Sequence, residues 1–234
     1  MATSPLTTFV NIISSPRDAF ASMKEAPQIW PPLLVILVSW ILLWNWYYNA
    51  VDFGWLLNHM VDIETYGKPE DQVKAISEGI GKLTPGGLAI ISSFFVIFIT
   101  LFFASLISLY LVIVSAIFDD EYRLKNWFSF VIWTSVPVLF TMVAMILNFV
   151  IAPDARIAPE QLNPMSLNRL FFHFELGHPL KTFADNLDLT ALWVWGLMIY
   201  GYRQWTDKSW GISTVVILIP VVVIYGGWAL IAWA

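Results

Sequence analysis

Long uncharged, apolar runs alternate with short polar segments along the chain, and their lengths predict the architecture. A helix needs about 20 residues to cross roughly 30 Å of hydrocarbon. Four runs are long enough, and each is dense in Leu, Ile, Val, Phe and Trp: Ala26 to Val51, Leu83 to Phe118, Asn126 to Pro153 and Ser209 to Ala234. The pattern therefore predicts a bundle of membrane-crossing α-helices.

A fifth run, Leu189 to Tyr202, is shorter than the other four. It makes about 21 Å of helix at 1.5 Å per residue, so a full crossing requires Asp188 and Arg203 at opposite membrane interfaces. We predict that it crosses; the alternative is a re-entrant hairpin of the last two segments. The predicted fold is an all-α, five-transmembrane-helix bundle that forms one domain over residues 1–234, with spans at about 30–51, 87–117, 127–151, 187–205 and 210–233.

A short helix is also predicted ahead of the first span, at about residues 15–26. Ser15, Pro16 and Asp18 have the residue types of a helix start, with a capping hydroxyl, a proline at the first helical position and an acid in the first turn. The apolar side chains of this segment follow helical spacing. It therefore lies either on the membrane surface or against the loops of the bundle.

Two long outer loops carry further helix signals. In the first loop, Pro69 begins a predicted helix that Gly79 ends; in the second, Ser166 caps one that ends at Gly177. The second helix has an apolar stripe at i, i+3, i+4 and i+7, namely Leu167, Leu170, Phe171 and Phe174. Such a stripe is too apolar to remain in water. We predict that it contacts a partner protein or the outer mouth of the bundle.

Composition and charge narrow the classes of protein further. The chain is 58% hydrophobic and 12% charged, about half of the roughly 25% charged share of a soluble domain. The net charge of −5 and the lack of a basic run argue against a nucleic-acid partner. Cysteine is absent, which excludes disulfides and thiolate sites. Lys and Arg are densest in the short loops on the amino-terminal side, so we predict a cytoplasmic amino terminus and an outside carboxyl terminus.

The second span has one face of small residues, which includes Ser93, Thr100, Ala104 and Ser108 within an arc of about 100°. Small faces let helices approach closely, so this helix is predicted at the centre of the bundle or at an oligomer seam. The alternative is a hydroxyl-lined path of a small-molecule or lipid transporter or channel. Asn148 of the third span is interpreted as a hydrogen-bond partner between helices rather than as a substrate ligand.

Candidate catalytic residues are few. The spacing of His173, Glu175 and His178 lacks the i, i+4 histidine pair of a zinc helix, and the acidic triplet at 119–121 is interpreted as a solvated turn beside Arg123. We therefore predict no catalytic residue, no metal site and no cofactor.

Several stretches resemble the Yip domain family, the Ypt-interacting proteins, in its bacterial type. They are Ser15-Pro16-Arg17-Asp18-Ala19-Phe20 followed by Ala26-Pro27 and Trp30-Pro31-Pro32; the turn from Phe118 to Trp127 that leads to Ser135-Val136-Pro137; and the stretch from Leu192-Trp193 to Lys208-Ser209-Trp210. The resemblance extends from about residue 13 to the end of the chain.

The resemblance implies a non-enzymatic, multi-pass protein of the bacterial plasma membrane. It further implies a scaffold or accessory role beside another membrane protein, an ABC-type efflux system or membrane-trafficking machinery. Apart from the resemblance, we predict a membrane-protein partner or self-association as a homo-oligomer. Eukaryotic relatives contact Rab-type GTPases, but this chain lacks their Asp-Leu-Tyr-Gly-Pro motif. A Rab-type GTPase is therefore not an expected partner.

Overall fold

The structure, a computed structural model, describes residues 4–233. These residues form helices, and no strand is found among them beyond one isolated bridge between Ser166 and Asp188. The α-helices are α1 (Pro5–Ser14), α2 (Pro16–Glu25), α3 (Trp30–Ala50), α4 (Phe53–Thr65), α5 (Glu70–Ile80), α6 (Pro85–Phe118), α7 (Leu124–Thr134), α8 (Val138–Val150), α9 (Pro159–Leu162), α10 (Lys181–Asn186), α11 (Leu189–Thr206), α12 (Trp210–Val221) and α13 (Gly227–Trp233). The all-helical class is thus confirmed.

Within residues 4–233, four helical stretches are long and apolar enough to cross a membrane. They are α3, α6, α7 with α8, and α12 continued into α13. Ser135 to Pro137 form a turn between α7 and α8, where the proline lacks the backbone N–H that a continuous helix needs. α11 is not among these stretches, since its second half carries polar residues including Arg203.

The chain divides into two compact units. Unit 1 consists of Met1–Val38, Phe98–Phe140 and Leu189–Ala234, as far as these ranges are described, and unit 2 consists of Ser39–Ile97 and Thr141–Asp188. Each unit has its own buried side chains.

In unit 1, α11 is the helix that the others surround. Its backbone lies close to those of α2, α7 and α12, and the core between them is aromatic. Trp127, Trp205, Tyr202, Phe20 and Phe130 are all fully buried there. Gly201 makes the close approach possible, because a Cβ on it would lie 2.7 Å from Phe130 Cε2 and would also meet the Phe20 ring.

The position of α2 differs from the second alternative for the amino-terminal helix, because α2 packs against helices rather than against loops. Its residues Ala19, Phe20 and Met23 are buried, and the helix packs on α11 and α7. Trp205 Nε1 donates to the Phe20 carbonyl at 2.9 Å. The apolar face of α2 is therefore covered by helices of its own chain.

α12 contains Pro220, which cannot donate to the carbonyl four residues earlier. That carbonyl belongs to Val216, and it accepts a hydrogen bond from the Tyr110 hydroxyl of α6 at 2.8 Å. A side chain from a neighbouring helix thus satisfies the backbone group that the proline leaves free, as hydrocarbon surroundings require. A π-helical segment, Val222–Gly226, follows the proline.

Unit 2 joins the second outer loop to α3, α4 and α8 by polar contacts. The Tyr47 hydroxyl donates to the Ile157 carbonyl at 2.7 Å, and the Asp52 backbone N–H donates to the Ala155 carbonyl at 2.8 Å. Further along the same loop, His59 Nε2 lies 2.6 Å from Glu160 Oε1. The loop is therefore an ordered part of the fold.

Asp52 caps α4, a helix that no pattern in the sequence predicted. Its Oδ1 accepts from the Trp55 N–H at 3.0 Å and its Oδ2 lies 2.9 Å from Arg156 Nε. The hydrogen bond from Trp55 and then the Arg156 guanidinium hold the pKa of the Asp52 carboxyl below its ordinary value. The carboxylate therefore both caps α4 and binds the second outer loop.

Candidate interaction site

The predicted small face of α6 lies partly in the interior. Ala104 and Ser108 of unit 1 are buried, whereas Thr100 is half-buried. The Ser108 hydroxyl donates to the Ala104 carbonyl at 2.5 Å, so it is used within its own helix. In unit 2, Ser93 is half-buried, donates to the Ala89 carbonyl at 2.7 Å and accepts from Asn45 at 3.4 Å.

The prediction that α6 lies at the centre of the bundle or at an oligomer seam stays a prediction. Only 17% of its most apolar stretch is buried, and α11 instead makes the extensive helix contacts. Small size at one face permits close approach but does not create it. Gly201 on α11 provides the closer contact because it has no side chain at all.

Ser115, at the far end of the same face, is a hydrogen-bond acceptor inside unit 1. Its side chain is 1% exposed, and its Oγ accepts from Trp127 Nε1 at 2.9 Å. The Ser115 side chain is therefore packed and has a hydrogen-bond partner from a second helix. Trp127 lies 12 residues further along the chain and on another helix. The helical spacing of α6 therefore gives no signal of this pairing.

An aromatic cluster formed by Trp127, Phe130, Tyr202, Trp205 and Tyr122 surrounds the last turn of α11. Trp127 and Tyr202 stack with ring centroids 5.6 Å apart, and Tyr122 stacks on Trp205 at 5.3 Å. The Trp205 carbonyl accepts from the Tyr122 hydroxyl and from Lys24 Nζ, the latter at 2.9 Å. A cation at the carboxyl end of α11 also suits the helix dipole.

The interpretation of 119–121 as a solvated turn is wrong for Asp120. Asp119 adopts φ 57° and ends α6, which turns the Asp120 side chain inward until it is 11% exposed. Asp120 Oδ1 lies 3.6 Å from Lys208 Nζ, while Oδ2 is buried without a hydrogen-bond partner among the described residues. The sequence cannot show this, because Lys208 is distant along the chain.

The outer segment, residues 167–178 of unit 2, differs from the predicted α-helix. It contains a five-residue π-helical turn, Asn168–Phe172, and then His173 in the left-handed conformation at φ 55°. Side-chain hydrogen bonds of Asn168 take the place of the expected backbone hydrogen bonds of a helix. Its Oδ1 accepts from the Phe174 N–H and its Nδ2 donates to Asp185 Oδ1, both at 2.7 Å.

The predicted apolar stripe is therefore rearranged. Leu167 and Phe174 are half-buried, and Phe174 lies between Phe172 and His178 with ring centroids 5.1 and 3.8 Å away. The side chains that remain exposed are Leu170, Phe171, Phe172 and Leu176. Phe171 is the most open of them at 64%. The outer segment thus has an exposed apolar surface, and the hydrogen bonds of Asn168 hold its backbone in place.

Asn148 and Asp188 anchor the same unit. Asn148 Nδ2 donates to the Gln161 and Leu162 carbonyls at 3.1 and 2.9 Å, so it closes the end of α9. Asp188 Oδ2 accepts from Thr141 Oγ1 at 3.1 Å and from Asn163 Nδ2 at 2.9 Å. Both side chains therefore hold the outer loop to α8.

Metal chemistry has no candidate centre in the part of the chain between residues 4 and 233. No group of three metal-ligating side chains occurs there, and His178 is stacked on Phe174.

The apolar spans and the all-helical units define a multi-pass integral membrane protein. The chain belongs to the Yip1 domain family, whose model matches residues 10–231. The family resemblance is thereby confirmed over nearly the whole chain. No curated protein and no solved structure matches the chain significantly.

Proposed function

We propose that this protein is a non-enzymatic scaffold or accessory subunit of another membrane complex, which it contacts through the outer segment. The observation that carries the proposal is the exposed apolar surface of Leu170, Phe171, Phe172 and Leu176 on an ordered loop. Burying side chains of this kind stabilises an assembly by about 1.5–3 kcal/mol each. This free energy favours covering the exposed side chains with a protein surface, either another subunit or a second copy of this chain.

The rigidity of the outer segment supports a protein contact. Asn168 is bonded to Asp185 and Phe174, and Lys181 Nζ lies 2.7 Å from Asp185 Oδ2. An apolar surface that is already ordered loses little conformational entropy when it binds. Phe172 and Leu176 also widen the surface beyond the single stripe that a helix lying on lipid needs.

The proposed topology has five membrane helices, with α11 as the fourth crossing. The 18 residues of α11 extend about 27 Å, which is close to the hydrocarbon thickness of about 30 Å. α11 packs on α2, α7 and α12, so it needs fewer lipid-facing apolar residues than α6. We place the amino terminus in the cytoplasm and the carboxyl terminus outside, with α2 and α5 as short amphipathic helices.

The family suggests the partner class. We propose a bacterial plasma-membrane complex, an ABC-type efflux system or membrane-trafficking machinery, and no Rab-type GTPase. The membrane and the partner are inferred from the Yip1 domain match together with the missing eukaryotic motif.

Photo-crosslinking in cells tests the proposal. A photoreactive phenylalanine analogue replaces Phe171 in one variant and Glu175, which is exposed in the same segment, in the matched control. We expect protein adducts from position 171 and markedly fewer from position 175. Adducts at position 171 with lipid alone would refute the scaffold contact.

A substitution gives a second measurement. Phe171→Asp should remove the partner from the purified complex, because the contact would then bury a charge without a counter-charge, whereas Phe171→Leu should retain it. The isolated protein should stay folded in both variants, since Phe171 is largely exposed. Equal partner recovery with Phe171→Asp and wild type would contradict the proposal.

A further inference from the structure

Unit 1 contains an open groove of about 670 Å³ between α6 and α12. Its walls are apolar side chains, with Val114, Ile117 and Phe118 on α6 and Ile212, Val215 and Ile219 on α12. The Tyr110–Val216 hydrogen bond joins the two walls. The groove thus lies between two helices that are long and apolar enough to cross a membrane.

The length of the groove indicates what fits it. Its lining runs from Ser209 to Ile219 along α12, which is about 15 Å of helix. This is half of the roughly 30 Å of hydrocarbon in a bilayer. A lipid acyl chain occupies one such half, whereas a membrane helix of a partner protein would extend through both.

A cation lies at one end of the groove. Lys208 precedes the lining residue Ser209, and its Nζ lies 4.9 Å from the centre of the Phe118 ring, which also lines the groove. Among the described residues, the carboxylate oxygen paired with it is Asp120 Oδ1 at 3.6 Å, which is beyond hydrogen-bond distance. An ammonium group has three donors, so Lys208 retains donors for a phosphate.

We propose that this groove retains one phospholipid molecule, with an acyl chain along the apolar walls and its phosphate on Lys208. The occupant follows from the combination of a groove one leaflet long and a cation at its end. Asp120, beside Lys208, opposes additional negative charge in the headgroup. The phosphate that all phospholipids share is therefore the recognised group.

Phospholipid retention tests the proposal. The protein is reconstituted in vesicles of phosphatidylcholine, extracted in mild detergent, and its bound phosphorus is measured per polypeptide together with native mass spectrometry. Val215→Trp fills the groove and should remove the retained lipid, whereas Val222→Trp, similarly exposed in the π-helical segment that follows α12 but outside the groove, should keep it. Lys208→Glu should lower retention about tenfold, and Lys125→Glu, an exposed cation outside the groove, should leave it unchanged.

Each other outcome contradicts a stated part of the proposal. Equal phosphorus in all variants would show that no lipid is held in the groove. Loss of lipid with Val215→Trp but not with Lys208→Glu would refute the phosphate contact. Binding of diacylglycerol equal to that of phosphatidylcholine would refute it as well.

If a variant does not fold, photolabelling of the wild-type protein with a phosphatidylcholine that carries a photoreactive acyl chain tests the proposal instead. Label concentrated between Ser209 and Ile219 supports the groove, and label spread evenly over the apolar helices refutes it.

Discussion

Gly201 provides a sharp test of the packing of unit 1, because α11 approaches α2 and α7 at this residue. A Cβ added there would lie 2.5 Å from Phe20 Cζ and 2.7 Å from Phe130 Cε2, whereas ordinary contacts between carbons are about 3.5–4.0 Å. Both phenylalanines are fully buried, so neither ring has free space into which to move. The prediction is that Gly201→Ala forces these helices apart.

The expected magnitude combines two effects of opposite sign. Overpacking typically costs about 1–3 kcal/mol, and two immobile rings place this site near 3 kcal/mol. Alanine is more favourable than glycine in a helix by roughly 0.5–1 kcal/mol. The net decrease in the free energy of unfolding is therefore about 2 kcal/mol. For a protein of this size the melting temperature should fall by about 4–8 °C.

Gly196→Ala is the matched control on the same helix, because nothing lies within 4 Å of its added Cβ. It should melt at the wild-type temperature or slightly above, for reasons of helix propensity. The assay is thermal unfolding of the purified variants in one detergent. Phe20→Leu in the Gly201→Ala background should recover part of the loss, since neighbouring substitutions couple. Equal melting temperatures for the two glycine variants would refute the close packing.

The remaining predictions concern other parts of the fold. Ser115→Ala should cost about 1–3 kcal/mol by leaving the indole N–H of Trp127 without its acceptor, whereas Ser108→Ala should cost clearly less, as thermal unfolding can measure. The folded pKa of Asp52 lies below its unfolded value, so its contribution to stability is full above the unfolded pKa, near 3.9, and is lost as the pH falls through the folded pKa. The stability difference between wild type and Asp52→Asn should therefore shrink in acid, and a constant difference would contradict this. A reporter at Glu121 should read as cytoplasmic and one after the carboxyl terminus as outside; the same compartment for both would refute five crossings.

The long apolar elements could be predicted because length and hydrophobicity are local properties of the sequence. α3 and α6 begin and end within a few residues of the ends of their apolar runs. The turn between α7 and α8 likewise includes Pro137, a residue that interrupts the hydrogen bonds of a helix wherever it stands in the interior. In these cases one residue type or one run decides the backbone.

The polar pairings could not be predicted because they join distant positions. Asn168 meets Asp185 and so replaces a predicted α-helix by a π-helical turn. Asp120 meets Lys208 and so turns inward from a stretch that appears solvated in sequence. Such side-chain hydrogen bonds compete with the backbone hydrogen bonds of a regular helix. The spacing of residues in one sequence does not show which of the two sets forms.

Pro220 and Tyr110 have a consequence for how α12 is set along α6. The proline leaves the Val216 carbonyl without its usual donor, and the Tyr110 hydroxyl bonds there. If α12 slid by one helical turn, about 5.4 Å, the hydroxyl would instead face the Ile212 carbonyl, which the N–H four residues later already occupies in a regular helix. One proline and one tyrosine hydroxyl therefore fix the axial register of two apolar helices. Hydrophobic packing alone would allow several positions along the helix axis.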